Sequence, residues 1–124
     1  MFTCDMSNPE GWVLVENVSR RITSFQSIEL VPFEESISGY EVVRRSYELD
    51  VNYGQEDAEF VLEHHDNIPE ELQEYWLMFT GTIWHDLHGF SRFPCIFFGG
   101  IRWRLRFVWA NDTFGFNQSL FRFL

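Results

Sequence analysis

Lysine is absent from the 124-residue chain, and all nine of its basic residues are arginine. That excludes Schiff-base chemistry and a phosphate-binding P-loop lysine. Cysteine is nearly absent as well. Cys4 and Cys95 are too few for a disulfide framework and too far apart for a CxxC or zinc-ligand spacing, so two reduced thiols are expected. No stretch approaches the ~18 uninterrupted apolar residues of a membrane-spanning helix. The opening residues MFTCDMSNPEG hold no basic region followed by an apolar run. The expectation is a cytoplasmic protein with no membrane association. Nucleotide-cofactor fingerprints are missing too: Gly99-Gly100 lacks the length and context of GxxxxGK(S/T) or of a dinucleotide-binding loop, and reads as a turn. No cofactor is expected.

Positive charge is scarce. Nineteen Asp and Glu against nine Arg give a formal charge of -10, which argues against direct nucleic-acid binding and favours a basic protein as partner. The charges are also unevenly placed. Glu56, Asp57, Glu59, Glu63, Asp66, Glu70, Glu71 and Glu74 form a run without a single Arg, whereas the chain after Tyr75 is net positive. Folding could cover the basic strands with this acidic run or display the two fields separately.

Apolar residues are plentiful. Hydrophobic residues make up 45% of the chain and aromatics 19%, enough to oppose chain entropy with a substantial core. The length suits one compact domain over residues 1–124, with a radius of gyration of roughly 14 Å.

The clearest pattern lies between Phe93 and Asn111. Ile101, Trp103, Leu105, Phe107 and Trp109 alternate with Arg102, Arg104 and Arg106, so a half-buried strand would carry an apolar stripe on one face and guanidinium groups on the other. Those arginines could bind phosphate, or pair across a sheet with Glu48, Asp50, Glu59 or Glu63. Trp12–Val15, Ile22–Val31, Tyr40–Val51, Ala58–His65, Cys95–Phe98, Thr113–Phe116 and Ser119–Phe123 also read as strands, after an opening loop over Thr3–Gly11. The helix signal is confined to Pro69–Phe79, where Leu72, Tyr75, Trp76 and Phe79 recur at helical spacing behind Pro69, Glu70 and Glu71. That helix should yield to a strand near Met78 or Gly81. The fold class expected is mainly β with a minor α+β character: an antiparallel barrel or sandwich-like sheet with one short amphipathic helix.

Function is read from two places. The acidic run, closed by the aromatic pair Tyr75 and Trp76, suits a binding module that neutralises or regulates a basic partner. An antitoxin or immunity-type inhibitor of a nucleic-acid-acting enzyme is one form of it. The alternative is His85, Asp86 and His88. An imidazole oriented by a carboxylate could act as acid or base in a small hydrolase or nuclease, with Glu63, His64, Ser91 and Cys95 as further candidates. His85 and His88 could hold a metal, as could His64 and His65, although neither spacing is HExxH. A barrel rich in aromatics could also enclose an apolar ligand as a carrier.

Overall fold

The computed structural model describes residues 9–115 and 117–124. Cys4, most of the expected opening loop and Phe116 lie outside them.

Among the described residues, nine strands and two α-helices follow in chain order: β1 (Val13–Asn17), β2 (Ile28–Val31), β3 (Ile37–Ser38), α1 (Gly39–Glu48), α2 (Gln55–Glu63), β4 (Trp76–Met78), β5 (Thr82–His85), β6 (Ser91–Phe98), β7 (Trp103–Trp109), β8 (Thr113–Phe114) and β9 (Gln118–Phe123). Short 3₁₀ turns occupy His65–Asn67 and Glu70–Glu74. The mainly β expectation stands, with corrections. The large sheet is an open, mixed one of seven strands in the order β1-β5-β6-β4-β9-β2, with β7 on β6, and it does not close into a barrel. β3 and β8 form a separate pair. β4 runs parallel to β9, so the sheet is not wholly antiparallel.

β6 organises the sheet because both its edges are paired. One edge takes β7 along its whole length, from Arg92 opposite Trp109 to Phe98 opposite Trp103. The other takes β4 and then β5, which flank a bulge at Thr80–Gly81. Pro94 explains the break. The Phe79 N–H donates to the Pro94 carbonyl at 2.9 Å, but proline has no N–H to return, and a bulge is where a sheet tolerates that loss. Beyond the break the sheet forks: β4 leads to β9 and β2, and β5 leads to β1.

Phe93, Pro94, Cys95 and Ile96 are all buried, so β6 is covered on both faces. β7 keeps the expected alternation only in part. Trp103 and Phe107 face inward while Arg104 is exposed, but Trp109 is 42% exposed and Ile101, before the strand, 86%. Phenylalanine rings fill the interior: Phe79, Phe93, Phe107 and Phe121 are essentially inaccessible, and Phe121 packs on Tyr53 and Phe79 at centroid distances of 5.2 and 4.8 Å.

Two of the expected strands are helices. The Tyr40–Val51 region begins with α1, whose buried positions Gly39, Val42 and Ser46 follow a helical period. Ser38 caps it by accepting the Glu41 N–H at 3.2 Å. Glu41 then pairs with Arg44 and Arg45, three and four residues on. Tyr47 and Leu49, which made the segment look like an alternating strand, are exposed. The Ala58–His65 region is mostly α2, with Ala58 and Val61 buried against β6 and β7. The expected helix over Pro69–Phe79 is instead one 3₁₀ turn and then β4. Leu77, Met78 and Phe79 are buried in succession between β6 and β9, which a helix with one wet face cannot do.

Candidate interaction surfaces

The acidic run begins on α2. Glu56, Glu59 and Glu63 stand three and four residues apart and are all exposed, which places them on one outward face. Glu70, Glu71 and Glu74 are exposed on the second 3₁₀ turn, and exposed Asp66 lies 3.3 Å from His65. Asp57 departs from the pattern. It is 1% exposed, and its carboxylate accepts the N–H groups of Gly54 and Arg20 at 2.9 Å and of Ile22 at 3.2 Å. It caps α2 and ties down the Ser19–Ile22 loop, so it cannot meet a partner.

Five of the nine arginines form ion pairs elsewhere among the described residues. Arg20 pairs with Asp50, Arg44 with Glu41 and Glu48, Arg45 with Glu41, Arg92 with Asp86, and Arg122 with Glu29. Two guanidinium donors to Glu41 draw its pKa down to about 2, the bond from Arg44 contributing most. Among the described residues, no arginine comes within ion-pair distance of Glu56, Glu59, Glu63, Glu70, Glu71 or Glu74. Cross-sheet pairs from Arg102, Arg104 and Arg106 to Glu48, Asp50, Glu59 or Glu63 do not form. Arg102 and Arg104 are exposed, while Arg106 lies over the rings of Trp76 and Phe97 at 5.3 and 5.0 Å.

Tyr75 and Trp76 end the acidic run and are half-buried. Trp76 belongs to β4 and stacks on Phe97 at 4.8 Å, so it is anchored in the sheet, and only part of its ring can serve an interface.

His85 ends β5 opposite Ser91, and Asp86 and His88 lie in the turn that leads to β6. Asp86 is 8% exposed, and its carboxylate accepts the N–H groups of His88 at 2.9 Å and Phe90 at 3.0 Å and the Arg92 Nε at 2.9 Å. Burial pushes its pKa up, but the Arg92 bond and the two backbone bonds together outweigh burial and hold the carboxyl below its usual range. It makes no hydrogen bond to either imidazole. His64 lies apart, with Nδ1 2.9 Å from the Phe60 carbonyl and its ring stacked on Phe60. Among the described residues, no group of three or more His, Cys, Asp or Glu is gathered as a metal site requires. Nor is any of their helices long and apolar enough to cross a membrane. Ser91 opens β6, and Cys95 is fully buried, so desolvation pushes its thiol far above the usual range and leaves it a packing residue.

Sequence reasoning missed Arg92. Its guanidinium lies between Trp12 and Trp109, 5.1 and 4.8 Å from their ring centroids, while its Nε holds Asp86. The available signal was the pairing of an acid and an arginine across the tight Gly89 turn. Arg92 also lines a cavity of about 370 Å³ with Trp76, Arg106, Phe107, Trp109 and Gln118. No protein-family model matches the chain, and neither a curated protein nor a solved structure matches it. Its functional reading therefore rests on its own geometry.

Proposed function

We propose that this chain is an acidic binding module that docks on a basic protein and neutralises or regulates it. The observation that carries the reading is that Glu56, Glu59, Glu63, Glu70, Glu71 and Glu74 are exposed and, among the described residues, form no ion pair with an arginine. Their field is therefore open to a positive surface, where complementary charge speeds encounter and rejects wrong partners. Glu63 supports the same reading. It sits at the end of α2, a helix with no basic residue in its last turn, where negative charge opposes the helix dipole. Local stability gives no reason for an acid there.

Along α2 the carboxylates are spaced by three and four residues, about 4.5 and 6 Å along the axis. A linear array of this kind suits the positive groove of a nucleic-acid-acting enzyme. The form of regulation we favour is accordingly an antitoxin or immunity-type inhibitor that occupies such a groove. The accessible part of half-buried Trp76 would add an apolar contact.

The test is affinity capture from the native cell with the wild type and with a Glu56→Gln/Glu59→Gln/Glu63→Gln variant, at low and moderate salt. A basic protein should be held by the wild type at low salt and lost from the variant. Identical captures by both proteins at both salts would sink the reading. Once that partner is purified, replacing Glu70, Glu71 and Glu74 with Lys should slow association about tenfold or more at low salt, with the gap narrowing as salt rises.

A further inference from the structure

A second, smaller pocket of about 130 Å³ is lined from β1, β5 and α2, and two glutamates of the acidic run, Glu56 and Glu59, stand in its lining. Its size limits what it can hold. Drug-sized molecules occupy roughly 300 Å³ or more, whereas a cavity of about 150 Å³ takes a group the size of benzene. This pocket suits the end of one side chain.

The lining is tied together by its own hydrogen bonds. Trp84 is half-buried, and its Nε1 donates to Gln55 Oε1 at 2.9 Å; Gln55 Nε2 donates in turn to Glu59 Oε2 at 3.2 Å. That relay fixes the indole and the carboxylate relative to each other before any ligand arrives, which lowers the ordering cost of binding. The Gln55 backbone N–H donates to Thr82 Oγ1 at 2.8 Å, and the Thr82 hydroxyl to Asn17 Oδ1 at 2.9 Å. The indole N–H and the Thr82 hydroxyl are thus spent inside the lining. The carboxylates of Glu56 and Glu59 form no ion pair with an arginine among the described residues, so they keep oxygens for a ligand's donors. Leu14, 44% exposed, adds apolar surface.

We infer that this pocket is a socket for one arginine side chain of the basic partner, an inference that rests on the proposed function and deepens it. A guanidinium offers N–H donors and no acceptor, which matches a lining rich in acceptors. Its flat face stacks on the Trp84 ring while its in-plane N–H groups bond carboxylate, and its methylene stem covers Leu14. The compact, strongly hydrated ammonium of lysine fits a ring and a carboxylate together less well. A metal ion is disfavoured, because no group of three or more His, Cys, Asp or Glu is gathered among the described residues.

Proton–nitrogen correlation spectra of the full chain at low salt, titrated with the blocked peptides Gly-Arg-Gly, Gly-Lys-Gly and Gly-citrulline-Gly, test this. The Trp84 indole N–H, assigned with Trp84→Phe, should shift saturably with the arginine peptide. The lysine peptide should bind at least about threefold more weakly, and citrulline, which keeps the shape without the charge, at least about tenfold. Glu56→Gln/Glu59→Gln should weaken the arginine peptide about tenfold. Glu34→Gln/Glu35→Gln removes the same charge at exposed positions outside the lining and should leave binding unchanged. Trp84→Leu, followed at the Gln55 side-chain amide, should also weaken it; if thermal melts show that this variant does not fold, the exposed glutamate pair still decides. The socket is overturned by no saturable shift with the arginine peptide, by equal binding of the lysine or citrulline peptide, by equal losses from the two glutamate pairs, or by a folded Trp84→Leu that matches the wild type. The capture experiment reads the acidic module separately. A captured basic protein without arginine-peptide binding removes the socket alone, whereas peptide binding with no captured basic protein removes the module and leaves the arginine site standing.

Discussion

Asp86 shows how one carboxylate between two histidines can be committed to structure. The sequence His85-Asp86-Leu87-His88 invites an acid–base reading because an imidazole needs an orienting carboxylate. In the folded chain the turn takes that carboxylate instead. Gly89, with φ of +81°, reverses the backbone and brings the His88 and Phe90 N–H groups onto Asp86 Oδ1, while Arg92 reaches Oδ2. The ion pair is largely buried, with side-chain exposures of 15% for Arg92 and 4% for Asp86. Removing one partner of such a pair costs about 3–5 kcal/mol, because the other charge is left uncompensated. Asp86→Asn keeps part of the backbone bonding and should lose about 3 kcal/mol, measured by urea denaturation at pH 7. The pH dependence has a definite sign. Asp86 has a lowered pKa in the fold, so its contribution is whole above the unfolded value of about 3.9 and is lost as pH falls through the lower folded value. Between neutral pH and that acid range the wild type should therefore lose more stability than Asp86→Asn. Parallel pH profiles would refute the assignment.

Among the elements, the split between β4 and β5 is the device that holds the sheet to its loops. Its bulge carries Gly81, whose N–H donates to the Tyr53 carbonyl at 2.8 Å and whose carbonyl accepts the Val18 N–H at 2.7 Å. A Cβ at Gly81 would stand 2.5 Å from the Val18 carbonyl oxygen and 2.6 Å from that of Asn52. Both neighbours are backbone, so neither can rotate away. Gly81→Ala should cost about 1–3 kcal/mol by overpacking, seen as a lower denaturant midpoint, and an unchanged midpoint would show that the loops are free to yield. Element type was legible in the sequence where periodicity had one meaning. β7 and β9 fall close to where alternation and aromatic content placed them, and the Gly99-Gly100 turn links β6 to β7 as expected, but β6 begins at Ser91, four residues before the expected Cys95. It failed where apolar residues matched two periods. Val43, Tyr47 and Leu49 alternate as a strand would, but the cap at Ser38 and the Glu41 pairs with Arg44 and Arg45 made the helix locally better.

Across the whole molecule, acids and arginines are sorted in the way the proposed function needs. Acids that stabilise the fold have partners: Glu41 its arginines, Asp57 three backbone N–H groups, and Asp86 the turn and Arg92. Among the described residues, those on the outer face of α2 form no ion pair with an arginine, and they add to a net charge of -10 that repels itself. The Glu56→Gln/Glu59→Gln/Glu63→Gln variant should thus be no less stable than the wild type at low salt. Neutralising Glu63 alone should add about 0.3–1 kcal/mol by relieving the helix dipole. Thermal melts check both, and a loss of stability in the triple variant would mark those acids as structural. Composition and local order alone determined that the chain would be strand-rich and acidic, with a large aromatic core and a run of acids free of arginine, because charge counts, alternation and turn residues are properties of neighbours along the chain. Only the tertiary structure decided that, among the described residues, the exposed Glu side chains between Glu56 and Glu74 would form no ion pair with an arginine, that Asp57 would turn inward, and that Arg92, Arg106, Trp76 and Trp109 would line one cavity. Those outcomes join residues far apart in sequence, and they were set by the forked sheet around β6 that brings the segments into contact.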